Sequence, residues 1–117
     1  MPKRILIVND ERHLVLLMER YLRRAGYEVT TANNGVEALK KVKSEEPDMI
    51  ILDDFMPRMS GHEVLEELRA DPKTAEIPVI IPNYTLAERY RRLAGLPRPF
   101  NPKELLDFVK DLLPMRD

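Results

Sequence analysis

Short apolar runs rich in Ile and Val alternate along this chain with longer stretches of helical period, and that alternation limits the fold more than any other feature. Ile5 to Val8 is apolar throughout, and Tyr27 to Ala32, Met49 to Leu52 and Pro78 to Ile81 are the other three runs. Strands apolar on both faces belong to parallel sheets, and the intervening helices are what cover them. Leu14, Leu17, Met18, Tyr21 and Leu22 fall three and four apart and stripe one helical face, with Gly26 as its C-terminal stop. Asn34 with Glu37 three residues on caps a second helix carrying Val36, Leu39 and Val42, which ends near Pro47. Ser60 with Glu63 caps a third, carrying Val64, Leu65 and Leu68 and running toward Asp71-Pro72. Thr85 with Glu88 caps a fourth, carrying Leu86, Tyr90 and Leu93. Asn101 as cap, Pro102 at the first helical position and Glu104 at the third begin a last helix, with Leu105, Leu106, Val109, Leu112 and Leu113 on its buried face.

A fifth strand belongs between the last two helices, yet only fourteen residues, Tyr84 to Pro97, separate Asn83 from Arg98. A mean helix of about 11 residues, a strand of about 5 and two connections need more room. The candidate is Leu96 to Phe100, where Pro97 and Pro99 remove backbone donors that a central strand would use. The expectation is a short or degenerate strand at the sheet edge.

A chain of 117 residues with 44% hydrophobic and 33% charged residues is sized and composed for one folded domain, taken here as residues 1–117. Nineteen Lys and Arg against twenty Asp and Glu leave a net charge of −1, so no global field draws the chain to nucleic acid or a membrane surface. Without cysteine it makes no disulfide and no thiolate metal site, and its first apolar run is too short for a signal peptide or a span. A cytoplasmic setting is the expectation.

In an open α/β sheet, ligands bind outside the carboxyl ends of the strands, and right-handed crossovers bring the ends of the first and third strands side by side. Both ends are acidic: Asn9, Asp10 and Glu11 follow one, Asp53 and Asp54 the other. Side-chain alternation aims only one of the last pair at the shared crevice. Clustered carboxylates repel unless a cation neutralises them, and oxygen donors without Cys or paired His suit Mg²⁺ over zinc.

ILIVNDE, LDDFMPRMSGHEVLEELR, IPVI and RPFNPKEL together resemble the receiver domain of bacterial two-component response regulators over nearly the full chain. The central block, an acid at a strand end followed four residues later by Pro and then by a Gly near the next helix, is the most specific part. The resemblance implies a flavodoxin-like doubly wound sheet of order 2-1-3-4-5. It implies Asp53 as phosphoacceptor for a sensor histidine kinase or phosphotransfer protein, with Mg²⁺ held by Asp10, Asp53, the backbone carbonyl of Phe55 and, through water, Asn9. Arg98 stands where the family carries a phosphoryl-pairing Lys, and Asn83 where it carries a Ser or Thr that reports phosphorylation. Asn9 replaces a metal-holding acid, which predicts weaker Mg²⁺ binding. Arg98 keeps the charge but not the geometry of an ammonium, and Pro82 stiffens the stretch beside Asn83. The abbreviated region is the family's usual output surface.

Other readings stand beside these. Asp10 could simply cap the first helix, Asp54 points away from the crevice, and Glu11 sits in the first turn for the helix dipole. His13 and His62 lack ligand spacing. Arg89, Arg91, Arg92 and Arg98 form a basic cluster without a nucleic-acid reading motif. The expected protein is a regulatory domain and not an enzyme, self-dephosphorylation aside, whose output runs through a downstream protein target with no direct nucleic acid or membrane contact. The alternative is a pseudo-receiver, the same fold as a phosphorylation-independent interaction module. An aspartyl-phosphate hydrolase of the haloacid dehalogenase type needs Asp where Phe55 stands, and flavin binding needs a Ser, Thr and Gly-rich phosphate loop; neither fits.

Overall fold

The computed structural model describes residues 2–53, 58–81, 93–95 and 102–112. Five parallel strands, β1 (Arg4–Val8), β2 (Glu28–Ala32), β3 (Met49–Leu52), β4 (Val79–Ile81) and β5 (Leu93–Gly95), form one sheet in the order β2-β1-β3-β4-β5. Helices α1 (Arg12–Arg24), α2 (Gly35–Glu45), α3 (Gly61–Ala70) and α4 (Pro102–Leu112) are described with it. The doubly wound order expected from the sequence is the one observed.

Alternation along each strand divides the core into two layers. Ile5 and Ile7 of β1, Val29 of β2, Met49 and Ile51 of β3 and Ile80 of β4 pack against Met18 and Leu22 of α1 and Leu105 and Val109 of α4. On the other face, Leu6, Val8, Ala32, Ile50, Leu52, Val79 and Ile81 pack against Ala38 and Val42 of α2 and Val64, Leu65 and Leu68 of α3. Most of these side chains are fully removed from water, and each Leu, Ile, Val or Met so buried stabilises the fold by about 1.5–3 kcal/mol relative to exposure.

The helix ends follow the local chemistry. Ser60 and Glu63 form a complete capping box at α3. At α2 the Asn34 side chain accepts from Glu37 N–H at 2.9 Å, but the Glu37 carboxylate reaches back to the N–H of Asn33, one residue earlier than the box pattern expects. Gly26, just past α1, has φ 100°, the left-handed conformation that glycine adopts without strain. The outer rim of β2 is covered: Arg23 Nη2 of α1 donates to the Val29 carbonyl at 2.8 Å, and Lys41 Nζ of α2 donates to that of Thr31.

One expectation needs moving. The fifth strand is short as expected but occupies Leu93–Gly95, ahead of the Leu96 to Phe100 segment chosen from sequence. The physical reason is the prolines: pairing with β4, Val79 to Leu93 through Ile81 to Gly95, is complete before Pro97 and Pro99 arrive. Leu93, expected on a helix begun at Thr85, opens this strand instead, and the rest of that helix lies outside the described residues.

Candidate functional site

The last rungs of β1 and β3 are paired, Val8 opposite Leu52. One residue further, Asp53 N–H donates to the Val8 carbonyl at 2.9 Å and Asn9 N–H to the Ala32 carbonyl at 3.0 Å, so both residues are still fixed by the sheet as the strands end. Continuing the alternation places Asn9 in series with Ile5 and Ile7, and Asp53 in series with Met49 and Ile51, on the same face. Asn9 and Asp53, 8% and 7% exposed, are the buried polar residues among those described. A carboxylate at that depth is costly unless charge or hydrogen bonds compensate it, and an apolar sheet that keeps one at a strand end beside an amide is built around it.

Asp10 is exposed, one step beyond Asn9. It is not the cap of α1: the N-cap is Glu11, in extended conformation and with no side-chain cap hydrogen bond. The local bond there belongs to Asn9, whose Oδ1 accepts from Glu11 N–H at 2.8 Å. This Asx turn is a role for Asn9 that the sequence reading did not assign, although an Asx residue two before a helix N-cap is the signal for it. A groove of about 550 Å³ runs from Asn9 and Asp10 past Arg12 to Thr31, Glu37 and Lys41.

The structure thus brings Asn9, Asp10 and Asp53 to adjacent strand ends. Phe55, Asn83, Arg98, Asp54 and the Arg89, Arg91, Arg92 group lie outside the described residues. His13 is exposed in the first turn of α1 and His62 lies on α3, where its Nε2 stands 3.7 Å from Glu66 one turn on. Among the described residues no three His, Cys, Asp or Glu side chains gather to hold a metal ion. Magnesium commonly takes one or two carboxylates and keeps several waters, so two carboxylates with an amide beside them fit that ion. Among the described residues no helix is long and apolar enough to cross a membrane.

Comparison with known proteins places this geometry. The response regulator receiver domain family matches residues 5–93. The alkaline phosphatase synthesis transcriptional regulatory protein PhoP of Bacillus subtilis (strain 168) is 37% identical over 121 residues, covering 97% of this chain and 49% of that protein. The chain spans about half the length of the curated relatives it matches. The chemotaxis response regulator CheY4 of Vibrio cholerae superposes with a TM-score of 0.88 at 29% identity, over 97% of this chain and 100% of that one. The receiver domain of sensor histidine kinase PA1611 of Pseudomonas aeruginosa PAO1, solved with a magnesium ion coordinated in its active site cleft, gives 0.81 at 25% identity over 96% and 98% of the two chains. The strand order of the described residues, a buried acid at the end of β3 and these matches agree that this chain belongs to the receiver domains of two-component response regulators.

Proposed function

We propose that Asp53 is the phosphoacceptor of a receiver unit spanning residues 1–117, taking its phosphoryl group from a phosphohistidine on a sensor kinase or phosphotransfer protein. One Asp53 carboxylate oxygen attacks phosphorus in line with the phosphohistidine nitrogen. The P–O bond forms as the P–N bond breaks, leaving an acyl phosphate on Asp53 and imidazole on the donor. The observation that carries this reading is the burial of Asp53 at the end of β3 with its backbone tied to β1.

A magnesium ion held by Asp10, Asp53 and the Phe55 carbonyl, with Asn9 reaching it through water, would neutralise charge on the phosphoryl oxygens. Asp53 and Asn9 are supported by the sheet itself, so the acceptor is positioned before any ligand arrives. The Asn9 Oδ1 keeps a second lone pair beyond its bond to Glu11, which suffices to accept from a water but adds no charge. Arg98 pairs with the phosphoryl group and Asn83 hydrogen-bonds it, which couples acceptor chemistry to the stretch between them. Output passes to a downstream protein target.

Intact mass after incubation with Mg²⁺ and a small-molecule phosphodonor tests this. One phosphoryl adduct is expected, absent in Asp53→Asn and in a sample stripped with chelator. An adduct that persists in Asp53→Asn, or no adduct together with no Mg²⁺ binding, overturns the assignment; the second result makes the chain a phosphorylation-independent interaction module.

A further inference from the structure

Strand β2 is the outermost strand on its side of the sheet. Glu28 N–H donates to the Lys3 carbonyl at 2.9 Å and the Ala32 carbonyl accepts from Asn9 N–H at 3.0 Å, so the even-numbered residues of β2 face β1. Val29 and Thr31 therefore turn both of their backbone groups away from the sheet. Their carbonyls are the two that Arg23 and Lys41 hold. Each base is steadied by an acid one turn earlier on its own helix: Arg23 Nη2 lies 2.8 Å from Glu19 Oε2, and Lys41 Nζ 3.9 Å from Glu37 Oε2. Helices α1 and α2 cover opposite faces of the sheet, so the edge is closed from both sides.

The groove that starts at Asn9 and Asp10 continues along this edge, above Thr31 and between Leu16 and Glu19 of α1 and Lys41 of α2. Leu16, 52% exposed, is a large apolar side chain left beside it. A second copy of β2 matches the edge by symmetry. Laid antiparallel about a two-fold axis at Thr30, Val29 of each copy stands opposite Thr31 of the other, and each such pair exchanges N–H and carbonyl in both directions. Glu28 falls opposite Ala32, so no like charges meet along the strands. Arg23, level with Val29, comes alongside Glu19 of the second copy, which lines the groove beside Thr31. Only the two bonds to the outer carbonyls stand against this pairing.

We infer that the β2 edge is a latent surface for a second copy of this chain, kept closed by Arg23 and Lys41, and that loss of both donors lets two copies pair along it. Each of the two bonds is charge-assisted, and giving one up costs about tenfold in the association equilibrium.

Sedimentation velocity over a range of protein concentrations compares the unsubstituted chain with Arg23→Ala, Lys41→Ala and the double variant. Each single variant is expected to associate roughly tenfold more tightly than the unsubstituted chain, and the double variant roughly a hundredfold. Thr31→Pro, added to the double variant, removes an N–H that β1 does not use and should return association to that of the unsubstituted chain. Hydrogen exchange gives the second readout: the Val29 and Thr31 amides should gain protection as the double variant associates. A double variant that associates no more tightly than the unsubstituted chain overturns the inference, as does association that survives Thr31→Pro or leaves those two amides unprotected. Should the alanine pair fail to fold, Arg23→Met with Lys41→Met, which keeps the apolar stems and loses the donors, decides by the same criteria.

Discussion

Strand β1 is paired along its length on both sides, over five residues with β2 and four with β3, whereas β4 meets β3 over two residues and β5 over three. The acid end belongs to the deep half: Asn9 and Asp10 follow β1, and Asp53 follows β3. Asn83 and Arg98, outside the described residues, come after β4 and β5 in sequence. The difference separates two demands. Carboxylates that share a cation need fixed relative positions, while a phosphoryl group can only signal through elements whose equilibrium it is able to bias.

Hydrogen exchange would expose the contrast most strongly. Amides of Leu6, Ile7 and Val8 should exchange only through global unfolding, and those of Leu93 to Gly95 orders of magnitude faster through local opening; equal protection on both halves would dissolve the comparison. Ile7→Ala comes next. It empties a fully buried site in the central strand and should cost about 2–5 kcal/mol in urea unfolding, in one transition. A loss confined to part of the chain would move the hub away from β1. Asn9→Asp should tighten Mg²⁺ several-fold by calorimetry and, in chelator, lower the urea midpoint, because a third carboxylate beside buried Asp53 is repelled until a cation binds. No change in either would mean that position 9 does not face the metal.

The smallest effect concerns Tyr27, immediately before β2, where burial raises the phenol above its ordinary value. The folded state therefore favours the protonated form. Its contribution to stability is complete below about pH 10 and is lost as pH rises through the raised folded value. Alkaline unfolding followed against Tyr27→Phe should show that slope disappear.

Sequence legibility followed the same division. ILIV and MIIL have no polar position, so burial on both faces and the parallel order could be read directly, and the Ser60 and Glu63 pair specified its capping box in full. The position of Asp53 at the end of a buried strand was legible because MIIL runs directly into it. The Leu93–Gly95 strand was not, since Leu-Ala-Gly carries no β-branched or alternating signal and is a strand only because β4 offers it a backbone partner. The close approach of Gly35 to Met59 was equally hidden: twenty-three residues lie between them, and the 2.6 Å that a Cβ at Gly35 would leave to the Met59 carbonyl oxygen is a tertiary contact with no local signature.

The bonds from Arg23 and Lys41 to the β2 carbonyls have a consequence for how the molecule is made. An open sheet invites a stranger's strand to continue it, and β2 is the outermost strand on its side. Its two guards come from different helices, α1 ahead of the strand and α2 behind it. During synthesis the Val29 guard is available as soon as β2 emerges, but the Thr31 carbonyl stays bare until α2 has been made and docked. Until then the outer carbonyls of β2 are open to capture by another nascent copy, and a slower-folding α2 would prolong that exposure without altering the finished protein.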